Sequence, residues 1–284
     1  MDNQLTLQRS APIGVFDSGM GGLTVLSALM QAMPDENFVY LGDTARLPYG
    51  TKSPATVVRY AEQAAGVLVQ RGVRALVVAC NTASGLALEQ LTRRFAPLPV
   101  FGVVEPGARA AAAAGHSEVL VLATESTVRG GAYQRTLHAL NPTLRVHARA
   151  CPLWVTLAEQ GPESPDVVKV ILKRSLRGFD DHATTLLLGC THFPVFREAL
   201  AAMVPGATIV DSAATTAQYV VDGLADAAGA GGAATPTRTE KARTEKARTE
   251  RTVTFLATDG VSRFRRVGSH FLGTEIRDVE LVDL

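Results

Sequence analysis

Apolar residues along the chain gather in short unbroken runs, separated by segments in which they recur every three or four positions. The runs are Ile13–Phe16, Phe38–Leu41, Ala75–Ala79, Val100–Val104, Val119–Ala123, Leu144–Ala148, Leu186–Leu188, Thr208–Val210, Val253–Ala257 and Val279–Val282. Their length and continuous hydrophobicity predict strands buried on both faces. Between them, Thr82–Phe95 carries Leu88, Leu91 and Phe95 at helical spacing, and Ser126–Leu140 opens on a serine that can cap a helix. Buried strands alternating with helices predict an α/β fold with largely parallel sheets. One stretch breaks the pattern. Ala227–Thr252 is a Gly/Ala linker followed by a five-residue repeat, R-T-E-K-A. That period winds around a helix instead of keeping one face, so the segment reads as a solvated low-complexity insertion.

Composition narrows the function classes. The chain has 284 residues, 46% of them hydrophobic, enough for two modest domains or one large α/β unit. A net charge of +1 gives no electrostatic footprint for nucleic acid. No apolar stretch reaches the ~18 residues of a membrane span, and the opening MDNQLTLQRSAP lacks the basic and apolar regions of a signal peptide. Three cysteines, Cys80, Cys151 and Cys190, are too few for a disulfide framework and predict a reducing, cytoplasmic setting. The abundance of Arg over Lys, 23 to 5, carries no functional reading.

Ligands of parallel α/β sheets bind beyond the carboxyl ends of the strands. Asp17-Ser18, Asp43-Thr44, Cys80-Asn81-Thr82, Cys190-Thr191-His192 and Asp211-Ser212 all fall there. Two segments, ALVVACNTASG and TTLLLGCTHFP, end a buried run in the same way, with a cysteine and then small polar residues. A helix N-terminus beside each thiol is expected to lower its pKa from about 8.5, toward proton transfer at neutral pH. Other readings compete. FDSGMGGLT could cradle a phosphate with Asp43 on a ribose, but Thr24 stands where the third glycine belongs. Cys80, Cys190 and His192 could hold zinc, but no fourth ligand is evident. A Cys–His nucleophile wants an orienting third group. A pyridoxal phosphate enzyme needs a Schiff-base lysine, and outside the insertion only Lys52, Lys169 and Lys173 occur, none at a strand end. Cys151 has no partner motif and reads as structural, as does Trp154.

In order along the chain, IGVFDSGMGGLTV, YLGDTARLPYG, VVACNTASG, GVVEPGA, LLLGCTHFP and IVDSA resemble the motifs of the cofactor-independent glutamate racemases. The likeness runs from Ile13 to about Leu284, the insertion apart. It implies two pseudo-symmetric three-layer α/β domains with the active site in the cleft between them. The first would comprise Ile13–Val103 and Ser212–Leu284 and carry Cys80; the second would comprise Val104–Asp211 and carry Cys190. The resemblance further implies interconversion of L- and D-glutamate by two opposed thiols, without cofactor or metal, supplying D-glutamate for peptidoglycan. Cys80 would act on D-glutamate and Cys190 on L-glutamate. Asp17 would assist Cys80, while His192 and Glu159 would assist Cys190. Asp17, Ser18, Tyr49, Gly50, Asn81, Thr82, Thr191 and His192 would contact substrate. Aspartate and broad-specificity racemases differ in starting Gly-Gly-Met-Gly and in having Glu where this chain has His192. The expected partners are glutamate and a second copy of the chain as a homodimer, with no nucleic acid or membrane. Inhibition of DNA gyrase, known for some family members, is a rival role that the near-neutral charge does not support.

Overall fold

A computed structural model describes residues 11–160, 165–179, 184–230 and 251–284. Strand β1 (Ile13–Asp17) is followed by helix α1 (Leu23–Ala32), β2 (Phe38–Gly42), a 3-10 turn at Tyr49–Thr51, α2 (Pro54–Gln70), β3 (Ala75–Val78), α3 (Asn81–Arg94) and β4 (Val100–Gly102). Next come α4 (Val104–Ala113), β5 (Glu118–Ala123), α5 (Glu125–Gly130), α6 (Ala132–Leu140), β6 (Arg145–Ala150), α7 (Pro152–Gln160) and α8 (Pro165–Leu176). After β7 (Thr185–Gly189), a 3-10 turn at Phe193–Phe196 leads to α9 (Arg197–Met203), β8 (Thr208–Asp211) and α10 (Ser212–Ala230). Strand β9 (Val253–Ala257), α11 (Val261–Leu272) and β10 (Glu280–Leu281) complete the described order.

The strands form two parallel sheets, β10-β9-β2-β1-β3-β4 and β6-β5-β7-β8. The order β2-β1-β3-β4 recurs as β6-β5-β7-β8, so β1 answers to β5 and β3 to β7. In each, the chain reverses its direction of winding at the first strand, which opens a crevice beyond the strand ends. Strands β1, β2, β3 and β7 are buried at every residue. Each fully buried Val, Leu or Ile there stabilises the fold by about 1.5–3 kcal/mol. Helix α2 shows how a face is made: Ser53 caps it by accepting from the Thr56 N–H at 3.4 Å, Pro54 opens it, and Val57, Ala61, Ala64, Ala65 and Leu68 turn inward. Helix α10 packs against both α1 and α4 and so ties one sheet's layer to the other's.

Four sequence expectations are revised. Ser126–Leu140 is not one helix: Gly131, at φ +65°, breaks it into α5 and α6. The cap is Thr124, which accepts from the Thr127 N–H at 3.4 Å, while Ser126 lies inside α5 and donates to the Lys52 carbonyl. The run Val100–Val104 ends as strand at Gly102, because Val104 already belongs to α4. The linker expected from Ala227 starts later, since α10 continues to Ala230, and Arg251 and Thr252 are tied to Met30 and Asn37. The rest of that expected insertion, 231–250, lies outside the described residues.

Candidate active site

Strand ends bring the chemistry together because parallel strands in register deliver their carboxyl termini to one edge. Asp17 ends β1, Cys80 follows β3, and Cys190 follows β7. Cys80 is the N-cap of α3, its Sγ accepting from the Ala83 N–H at 3.5 Å, and its thiol lies 3.6 Å from Ser18 Oγ. Cys190 differs from expectation. It precedes the 3-10 turn at Phe193–Phe196, not an α-helix.

The second cysteine heads a chain of polar contacts. Cys190 Sγ lies 3.8 Å from His192 Nδ1, and His192 Nε2 meets Glu159 Oε1 at 2.9 Å. The other oxygen, Oε2, accepts from Arg263 at 2.7 Å. Burial by itself would lower the His192 pKa, but the hydrogen bonds and charges of Cys190 and Glu159 overcome it and lift the imidazole to about 10. Burial works the opposite way on Glu159, and the His192 bond and charge, with Arg263, still hold that carboxyl below its usual range. The imidazole facing the Cys190 sulfur therefore holds its proton more tightly than a free histidine does.

The first cysteine has a different setting. Its pKa rises to about 12, first because it is buried and next because Asp17 is close; the bonds from Ala83 and Ser18 offset this only in part. The lowering expected from a helix start is thus overturned for Cys80, since desolvation of a buried thiolate outweighs one amide bond. Asp17 is fully buried and is itself raised by desolvation, against the charge of His192 and bonds from Gly22, Gly19 and Thr191. Tyr40 donates to the Gly19 carbonyl at 3.0 Å and fixes that loop from below.

Residues of the two sheets touch directly. Thr191 Oγ1 donates to Asp17 Oδ1 at 3.4 Å, and Thr24 donates to the Thr191 carbonyl at 3.0 Å. Asn81 Nδ2 donates to Ser212 Oγ at 3.3 Å, and Tyr133 donates to Asn81 Oδ1 at 2.6 Å. Burial, then the charges of Cys190 and Asp211, keep the Tyr133 hydroxyl protonated. Thr82 Oγ1 lies 3.0 Å from both Thr124 and Thr127. Gly50 sits so close to Thr124 that a Cβ there would come within 2.7 Å of it. Tyr49 is buried beside it, its hydroxyl committed to Asp43 and its carbonyl accepting from the Lys52 N–H at 3.0 Å.

Ser18 thus contacts Cys80, His192 and Glu159 run on from Cys190, Thr191 meets Asp17, and Asn81 and Thr82 bond Ser212, Tyr133, Thr124 and Thr127, with Gly50 beside Thr124. Sequence reading passed over Thr124, Tyr133 and Arg263; Thr124 ends a strand and was within reach of the strand-end rule, whereas the other two lie inside helices. Cys151 is buried, donates to the Arg149 carbonyl at 3.6 Å, and is raised to about 11, chiefly by burial. Trp154 is a core residue, against Phe193 and Phe196. Among the described residues, no three His, Cys, Asp or Glu side chains converge as a metal site would require, and no helix is long and apolar enough to cross a membrane.

Comparison with known proteins meets this geometry. The sequence profile of the Asp/Glu/Hydantoin racemase family matches residues 17–220. A glutamate racemase of Geobacter metallireducens is 42% identical over 275 residues, covering 96% of either chain. The structure of glutamate racemase from Francisella tularensis in complex with D-glutamate superposes with a TM-score of 0.84 at 33% identity, over 97% of this chain and 98% of that one. Glutamate racemase from Thermus thermophilus in complex with β-chloro-D-alanine gives a TM-score of 0.80 at 42% identity, with the same coverage of 97% and 98%. By sequence and by fold, this chain belongs to the Asp/Glu/Hydantoin racemase family and is an isomerase.

Proposed function

We propose that this chain interconverts L- and D-glutamate by proton transfer between Cys80 and Cys190, without a cofactor. The observation that carries the reading is the equivalence of the two cysteines. Each lies just past the third strand of a sheet with the same order, and residues around them meet, Thr191 on Asp17 and Tyr133 on Asn81. Inverting a carbon requires that one group take a proton from one face while another returns a proton to the opposite face. A single fixed side chain does not reach both.

In the L-to-D direction, Cys190 as thiolate takes the α-proton and the Cys80 thiol delivers its own to the other face, after which the two states are exchanged. A pKa of about 12 keeps Cys80 protonated at neutral pH, the form a donor needs. The His192 cation, held by Glu159, stabilises negative charge on Cys190. In the reverse direction Asp17, close to Cys80 and lifted by burial, assists removal of the thiol proton. Ser18, Tyr49, Gly50, Asn81, Thr82 and Thr191 hold the ammonium and carboxylates and so fix the reacting carbon between the sulfurs.

The same reading divides the chain into an α/β domain of 13–103 with 212–284 and a second of 104–211, with substrate in the cleft between them. D-glutamate would serve peptidoglycan synthesis in the cytoplasm, and the working form is a homodimer. Polarimetry of L-glutamate with pure protein, without added pyridoxal phosphate or metal, tests the activity. Cys80→Ser and Cys190→Ser should each slow racemisation by at least about a hundredfold with an unchanged circular dichroism spectrum. Substantial residual turnover by either variant overturns the assignment.

A further inference from the structure

The two oxygens of Glu159 are held by residues from different sheets' layers. Oε1 contacts His192, in the turn after β7, while Oε2 takes the guanidinium of Arg263, in the first turn of α11 between β9 and β10. The carboxylate is 10% exposed and Arg263 is 52% exposed, so a surface cation reaches in to a buried anion. Helix α11 also touches the imidazole directly, since Phe271 packs edge-on against the His192 ring at 5.1 Å. Arg263 and Phe271 are eight residues apart, two steps of four along the helix. A carboxylate bonded through one oxygen keeps a soft terminal torsion; bonded through both, it is fixed.

We propose that Arg263 is a positioning residue: through Glu159 it fixes His192 against Cys190, so that a helix of one sheet's layer completes the acid–base group at the end of the other sheet. The proposal rests on the two-cysteine reading above and adds to it a direction. Arg263 serves the proton transfer at Cys190 more than that at Cys80, because its bonded path through Glu159 ends on His192 beside Cys190, while Asp17 beside Cys80 feels only the His192 charge.

The enantiomers have equal energies, so kcat/KM must stay the same in both directions for any variant. Which transfer is slowed shows instead in the isotope effects of α-deuterated L- and D-glutamate. In Arg263→Met, kcat should fall about fivefold, the scale of one partly exposed ion pair. The isotope effect should rise with deuterated L-glutamate, whose proton Cys190 removes. It should fall with deuterated D-glutamate, where removal by Cys80 no longer limits the rate. Arg263→Lys keeps the charge without the planar fork and should recover part of the loss. In a Glu159→Gln background, Arg263→Met should add almost nothing. Isotope effects that are unchanged, or that shift alike for both enantiomers, overturn the proposal, as does an undiminished effect of Arg263→Met beside Glu159→Gln. Should the methionine variant unfold, the lysine variant carries the same test. Wild-type protein that fails to racemise glutamate overturns the activity itself, a result distinct from a working racemase indifferent to Arg263.

Discussion

A single methyl group added at Gly21 tests how tightly the two sheets' loops are fitted. Gly21 lies in the loop from β1 to α1, and a Cβ built on it falls 2.4 Å from His192 Nδ1 and 2.5 Å from both His192 Cε1 and Thr191 Oγ1. Ordinary contact begins near 3.4 Å, so the imidazole has to retreat by about 1 Å. Three contacts resist that retreat: Cys190 and Glu159 hold the two ring nitrogens, and Phe271 packs against the ring. Gly21 is not among the positive-φ glycines, so alanine adds no backbone strain and the whole effect is steric. Overpacking of an interior costs about 1–3 kcal/mol, and a shift of ~1 Å in a reacting group costs about a hundredfold in rate. Chiral chromatography of glutamate with Gly21→Ala should show that loss in kcat. A thermal melt should drop by roughly 2–10 °C. Turnover within about threefold of wild type would refute the reasoning, because the ring would then be free to yield without consequence.

Gly66→Ala should have the opposite sign: nothing lies within 4 Å of its added Cβ in the interior of α2, so the melting point should rise by the equivalent of about 0.4–1 kcal/mol, with turnover unchanged. Tyr133→Phe removes the 2.6 Å bond to Asn81 and leaves a buried amide oxygen unpaired; denaturant melts should show a loss of about 1–3 kcal/mol, with slower turnover. Stability should also fall on the alkaline side. His192, faced by Cys190, Glu159 and Asp17, binds its proton more tightly folded than unfolded, since its pKa rises from 6.5 to about 10. Its contribution is complete below pH 6.5 and is lost as pH climbs through about 10; Cys80, raised from 9.0 to about 12, adds a further loss above pH 9. Urea midpoints across that range should decline in wild type and flatten in His192→Gln, and a wild-type midpoint that rose instead would contradict the sign.

The strands were legible because strands buried on both faces need unbroken apolar runs. Even β6, the edge strand with alternating exposure, carried enough Val and Ala to be found. The break at Gly131 was present in the letters as Gly130-Gly131, yet periodicity on either side masked it. The paired cysteines were legible because both end an apolar run, which fixes where they emerge. Their acidity was not. A helix start is visible in a sequence, but the depth of burial that raises Cys80 is set by core residues brought from distant parts of the chain, among them Phe16, Tyr49 and Leu256. Arg263 was invisible for a related reason: its partner lies more than a hundred residues earlier on a different layer, and one arginine among three on an amphipathic helix announces nothing.

The backbone passes between the two sheets at two points, from β4 into α4 and from β8 into α10. Cys80 and Cys190 are 5% and 6% exposed, so a substrate of the proposed reaction reaches the sulfurs only where the structure opens around them. A swing of the halves about those two peptide threads would admit it, and an opening step of that kind limits turnover in many enzymes. One thread begins at Ser212, bonded to the residue after Cys80, so such a swing would pull on the segment that carries that thiol.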